Sequence, residues 1–169
     1  MNRLRAAIMT GLMVLGTTSV CPAGGKAGEV GMVTFHLETE AGGNPKMVFE
    51  MKDDDKSRFY TRSPIISMKD INAFAPFPSG TGDLYGVLFR LNKAATGRLN
   101  SISTANIGRF LVAQANGRVV DGVLIDKPVN DGYIVIWKGL TQDDIKLLDK
   151  ELPRINDDKD KKKNKNKDQ

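Results

Sequence analysis

Cysteine, histidine and tryptophan each occur once in 169 residues, as Cys21, His36 and Trp137. These scarcities exclude much chemistry. A structural zinc site needs several Cys or His ligands, and an acyl-transfer triad needs a base partnered with a nucleophile. His36 has no second histidine or retained cysteine to work with, and it is expected as a surface histidine on the polar face of a strand. The run Asp53–Asp55 hints at calcium, but an EF-hand loop needs Gly at its sixth position and Glu at its twelfth. Counted from Asp53, those positions hold Arg58 and Pro64. "GTGDLYG", from Gly80, precedes a strand, whereas a dinucleotide fingerprint follows one. No catalytic residue, cofactor or metal is therefore expected.

The uncharged, mostly apolar run Ala6–Val20 is too short to favour a membrane-spanning helix. With Arg3 and Arg5 before it and the small residues of "CPAGGKA" after it, it reads as a secretory signal peptide over 1–23. Cys21 and Ala23 take the −3 and −1 positions of cleavage after Ala23, and Val20 before Cys21 argues against a lipoprotein. Cleavage removes the lone cysteine, so disulfides are excluded and stability must come from an apolar core. The expected location is periplasmic or extracellular. The formal charge of +5 is concentrated outside the fold: Arg3 and Arg5 lie in the signal, and 156–169 carries six Lys and four Asp. A nucleic-acid-binding domain shows its basic face on the folded part, so no nucleic-acid partner is expected. The tail, 153–169, reads as a disordered, solubilising segment capable of weak contact with a membrane surface.

Between a flexible lead at 24–31 and this tail, 32–152 reads as one α+β domain. It is expected to hold a mainly antiparallel sheet with two or three helices packed on one face. "VTFHLET" alternates as a half-buried strand, and "MVFEM" repeats the alternation, predicting a hairpin between them. Ser67 with Asp70 forms a capping-box pattern flanked by Ile66 and Ile71, which predicts a short helix ended by "FAPFPSGTG". Tyr85, Val87, Phe89 and Leu91 share one face of a strand. Asn92 caps a helix whose Ala95, Leu99 and Ile102 make one stripe. "YIVIW" is nearly continuously apolar and is expected as a central strand. Thr141 with Asp144 repeats the cap pattern before a helix that Pro153 ends.

"TANIGRFLVAQANGRVVDG" raises the question of a phosphate cradle, which would need its glycines between a strand and a following helix. Gly108 instead follows a helix, as a C-cap does, and Asn116-Gly117 joins two strands as a primed hairpin turn. Both glycines are structural. The order of these elements resembles the periplasmic head of the SecD/SecDF protein-export membrane proteins. The resemblance is carried by Asn92, Thr104, "NIGRFL" from Asn106 to Leu111, Asn116-Gly117, Gly132 and Thr141, with "SPIISMKDINAF" and "VTFHLE" upstream. It covers Met32 to Leu152. Asp121-Gly122 stands where the family has Ala-Pro, and Lys138 where it has Gly. The family's multi-helix membrane domain has no counterpart here.

The resemblance implies a freestanding, exported, non-enzymatic head module that binds unfolded polypeptide or a cell-envelope protein, linked to protein export. Phe74 and Phe77, on a proline-stiffened segment, are the candidate partner-binding residues. Ser67, Asn92, Gly108, Asn116, Gly117 and Thr141 are expected as structural turn and cap positions. The alternatives are a structural component of an envelope complex, or an exported hydrolase using Asp121 and Asp126. Five-residue spacing on a regular strand puts those two carboxylates on opposite faces.

Overall fold

The computed structural model describes residues 32–156 apart from 42, 43, 54, 55 and 81. The expected signal peptide and lead, and the tail beyond 156, lie outside the described residues. Nine strands and two α-helices are described. They run β1 (Val33–Thr39), β2 (Val48–Asp53), β3 (Lys56–Thr61), β4 (Ile66–Ser67), β5 (Ile71–Pro78), β6 (Tyr85–Leu91), α1 (Lys93–Ala105), β7 (Phe110–Ala115), β8 (Arg118–Leu124), β9 (Tyr133–Leu140) and α2 (Gln142–Glu151). The class is α+β and every strand pairing is antiparallel.

The strands form two sheets. The first has the order β2-β3-β1-β7-β8, with the short β4 also on β1; the second has the order β5-β6-β9. One core joins both sheets to the helices. It draws Val33 and Phe35 from β1, Val87 and Phe89 from β6, Leu111 and Ala113 from β7, Ile136 from β9, Leu99 from α1 and Leu148 from α2. The expected face of β6 is the buried one, since Val87, Phe89 and Leu91 are covered and Tyr85 is partly so.

Three local expectations are corrected. β1 and β2 are not hairpin partners: β3 pairs with both, through Glu38↔Tyr60 and Thr39↔Phe59 on one side and the full length of β2 on the other. The β2–β3 ribbon thus folds back over β1, and His36 is covered, only 5% exposed. Its Nδ1 lies 2.8 Å from the Thr61 carbonyl and its Nε2 2.9 Å from the Thr34 hydroxyl, with Phe49 edge-on at 5.4 Å. A polar residue on a strand's outer face is buried when a distant ribbon crosses that face, which alternation in β1 cannot reveal.

The helix expected after Ser67 is a single 3₁₀ turn, Met68–Asp70, and the chain continues directly as β5. The reciprocal cap is made, with Asp70 accepting from the Ser67 N–H and hydroxyl. Asp70 also takes Arg98 of α1 at 2.7 Å, so the turn is held by tertiary pairing and needs no further helix. Pro76 and Pro78 rule out a helix here and are tolerated because β5 is an edge strand. Beyond α2, the chain returns to this edge. Phe74 N–H donates to the Pro153 carbonyl, Ile155 N–H donates to the Phe74 carbonyl, and the Arg154 guanidinium sits 4.7 Å over the Phe74 ring.

The third correction concerns β9. It is the edge strand of its sheet, and β6 is central. Ile134 and Ile136 alternate toward the core, which explains half of its apolar run. The other half, Tyr133, Val135 and Trp137, belongs to a cleft.

A candidate binding cleft between the two sheets

Both edge strands of the cleft are bent by irregular pairing. In β8, Gln114 of β7 pairs with Val119 and Ala113 with Asp121, which leaves Val120 as an extra residue. In β9, Val87 of β6 pairs with Ile136 but Tyr85 with Leu140, so Trp137 to Gly139 oppose Gly86 alone. Bulges re-aim a strand locally, and these two meet. A side chain on Gly139, where φ is +92°, would place its Cβ 2.6 Å from the Val120 carbonyl oxygen. Only glycine allows that approach in that conformation. Beside it, the Asp121 carboxylate accepts the Trp137 N–H at 2.6 Å and the Gly122 N–H at 3.0 Å. Val120–Asp121 and Trp137–Gly139 therefore form a seam between the sheets.

From the seam the strands separate. Val123, Leu124 and Ile125 form one wall and Tyr133, Ile134 and Val135 the other, over a floor of Phe35, Leu99, Leu111 and Ala113. The cleft encloses about 480 Å³ and is lined chiefly by carbon. Asp126, Lys127 and Asp131 stand at its open end, just after β8 and just before β9. Among the described residues, no strand pairs with the outer edge of β8 or of β9. Two large apolar side chains are left in solvent at its lip: Leu124 is 46% exposed and Trp137 60%.

Phe77 supports this lip from behind. Its ring meets Trp137 edge to face at 6.1 Å and lies across Gly86, where an added Cβ would fall 2.3 Å from the ring. Phe77 itself is half-buried, whereas Phe74 is wholly enclosed by the core. Of the residues named from sequence, Phe77 is brought to the cleft's lip and Phe74 is turned away from it. The sequence does not point to Leu124, Val135 or Trp137 as binding residues, and it offers Asp121 only as half of a hydrolase pair with Asp126. The signal available was the unbroken "YIVIW" run, which is apolar on its second face because that face lines a cleft.

The turn and cap positions hold the cleft's frame. Asn92 Oδ1 accepts the Ala95 N–H at 2.8 Å. Asn116 (φ +50°) and Gly117 (φ +75°) make the β7–β8 turn. Gly108, with φ +86°, donates its N–H to the Ile125 carbonyl at 2.8 Å. The turn is also tied to α2. Asp144 accepts the Thr141 N–H and hydroxyl, the Asn116 side-chain amide at 2.7 Å and the Arg118 guanidinium at 2.7 Å. Burial alone would raise the Asp144 carboxyl, but the bonds from Thr141, Asn116 and Arg118 outweigh it and hold it below the usual carboxylate value.

Both Asp121 oxygens accept backbone N–H groups, and Asp126 lies beyond the end of β8. Among the described residues, no three or more of His, Cys, Asp and Glu come together in a way that could hold a metal. Among the same residues no helix is long and apolar enough to cross a membrane.

The molecule is therefore an α+β module with an apolar inter-sheet cleft. Its fold is similar to two solved structures from the family that its sequence motifs resemble. One is a membrane component SecDF that enhances protein export: 15% identical, TM-score 0.47, covering 66% of this chain and 56% of that one. The other is SecDF in a super-membrane-facing form: 17% identical, TM-score 0.47, covering 66% of this chain and 17% of that one. This chain thus spans about half the length of the first and a smaller part of the second. No protein-family model and no curated protein matches it.

Proposed function

We propose that this protein is an exported, non-enzymatic module that binds extended polypeptide in the cell envelope, in the service of protein export. The observation that carries the reading is the cleft: an apolar channel with exposed Leu124 and Trp137 at its lip and, on each side, a strand edge that no other strand among the described residues pairs with. Extended chains are recognised by backbone pairing at a strand edge together with apolar pockets for alternate side chains. The sequence motifs shared with the SecD/SecDF head support the same partner class. The non-enzymatic part of the reading draws on the lone histidine, held between Thr34 and Thr61, and on Asp121 and Asp70, held by backbone and arginine partners.

The experiment is a titration of the purified protein with a denatured secretory protein held soluble, beside the same protein folded. Binding of the unfolded form alone is expected, with a dissociation constant on the order of micromolar. Trp137→Ala combined with Leu124→Ser should weaken it, and Phe77→Ser should weaken it less by removing the support behind Trp137. Equal binding of folded and unfolded forms, or undiminished binding in the double variant, would overturn the reading.

A further inference from the structure

The seam reveals how β8 and β9 are oriented. Val120 meets Gly139 and Asp121 meets Trp137, while the strands diverge toward Ile125 on one side and Tyr133 on the other. Residue numbers rise along one wall as they fall along the other, so the walls run antiparallel. Each is the terminal strand of its own sheet. A third strand seated between them would have an unpaired backbone edge on both flanks. It would necessarily run antiparallel to one wall and parallel to the other.

Building on the proposed polypeptide-binding role, we propose that the occupant inserts as a β-strand between β8 and β9, joining the two sheets. We further propose that it is an apolar segment bearing a Lys or Arg at the end that reaches Asp126 and Asp131. The cleft's length sets the segment. Val123–Ile125 and Tyr133–Val135, extended to the open end at Lys127 and Asp131, accommodate about five residues at roughly 3.3 Å each. Side chains on one face of such a strand enter the floor formed by Phe35, Leu99, Leu111 and Ala113, so they must be apolar. The opposite face meets the lip, where Leu124 and Trp137 favour apolar or amphipathic residues. The open end is lined by two carboxylates, Asp126 and Asp131 (whose Oδ1 also accepts the Tyr133 N–H), and one ammonium, Lys127, a net negative charge complementary to a basic residue. At the seam end the Asp121 oxygens accept the Trp137 and Gly122 N–H groups and tie the two sheets together.

The test uses the whole protein and its single tryptophan, which stands on the lip and reports occupancy by its emission. Four synthetic peptides of about eight residues are compared: an alternating apolar strand with a terminal Lys, the same peptide with Glu in place of Lys, the Lys peptide N-methylated at alternate amides, and a proline-interrupted version. The Lys peptide should shift Trp137 emission to the blue and slow hydrogen exchange at the outward-facing amides of Leu124 and Val135. N-methylation removes backbone donors while keeping the apolar side chains, and it should weaken binding about tenfold or more. The Lys-to-Glu exchange should weaken it a few-fold. Asp126→Asn with Asp131→Asn, at exposed positions that leave the core untouched, should abolish that charge preference. Equal affinity of the N-methylated and parent peptides would overturn insertion while leaving capture of unfolded chains in place. Failure of every peptide and of the denatured protein would overturn both. Protection of the same amides on raising protein concentration without peptide would overturn the proposal by assigning the cleft to a second copy.

Discussion

Asp121 accepts the backbone N–H of Trp137 at 2.6 Å, so one carboxylate on the first sheet satisfies an edge donor of the second. The two sheets share a hydrophobic core, but this bond and the contact of Val120 with Gly139 decide where their edges touch and where they part. Asp121→Ala should therefore cost about 1–2 kcal/mol, the range for a lost charge-assisted bond that leaves a donor half-covered. Asp121→Asn keeps a carbonyl acceptor and should cost less. Urea unfolding of both variants, with exchange of the Trp137 amide, measures the difference. An unprotected Trp137 amide in the parent would refute the seam.

Glycine-to-alanine changes should have opposite signs at two positions. Gly139→Ala drives a Cβ into the Val120 carbonyl at a positive φ, and a loss of about 1–3 kcal/mol is expected. Gly97 lies within α1 with nothing within 4 Å of an added Cβ. Gly97→Ala should stabilise by about 0.5–1 kcal/mol, because alanine loses less backbone entropy in a helix. Thermal unfolding of the two variants side by side tests both signs.

Stability should fall as pH drops below about 6.5, the ordinary histidine value. Burial holds the His36 imidazole below that value, partly offset by its bond to the Thr61 carbonyl. As pH falls, the unfolded chain takes the proton first, so the contribution present above 6.5 is lost as pH passes through the folded value. Asp70 and Asp144 are also held below their usual values, and their contributions are lost in a separate, more acidic window. Because His36 is the only histidine, His36→Gln should flatten the pH dependence of the urea midpoint between pH 7 and 5. An unchanged slope in that variant would show that the imidazole is not responsible.

Two truncations should behave differently. A chain ending at Asn156 should unfold at the same midpoint as the full chain, since the segment beyond it has no apolar residue to bury. A chain ending at Leu152 loses both backbone bonds to Phe74 and the guanidinium over its ring. Its melting midpoint should fall by several degrees, as a loss of about 1–2 kcal/mol produces in a domain of this size. Equal midpoints would mean that the returning segment contributes nothing.

What could be read from the sequence was local. Asn116-Gly117 announces its hairpin because a primed turn demands positive φ at adjacent residues, and Asn92 and Thr141 announce their helices because caps act over three residues. The misreadings arose where distant segments meet. The hydrogen bonds from Asn116 and Arg118 to Asp144 span 28 and 26 residues, and no periodicity encodes them. His36 was placed by a ribbon that pairs with β1 through Glu38↔Tyr60 and Thr39↔Phe59, far along the chain. The "YIVIW" run showed that both faces of β9 needed apolar surroundings, but a sheet interior and a cleft wall place the same demand on a strand. The seam needed two bulges, and bulges leave little trace in alternation.

The four outer strand edges are unequally guarded against sticking to other chains. β2 carries Glu50, Lys52 and Asp53, and charge discourages edge-to-edge pairing. β5 is interrupted by Pro76 and Pro78 and clipped by the returning Pro153–Ile155. Among the described residues, β8 and β9 have no such guard beyond the seam; they face each other across the cleft. Aggregation at high concentration or on partial heating should therefore begin at this pair of strands. A bound peptide would act as a solubilising agent, and the surface best suited to capturing a client would also be the one that sets the protein's shelf life.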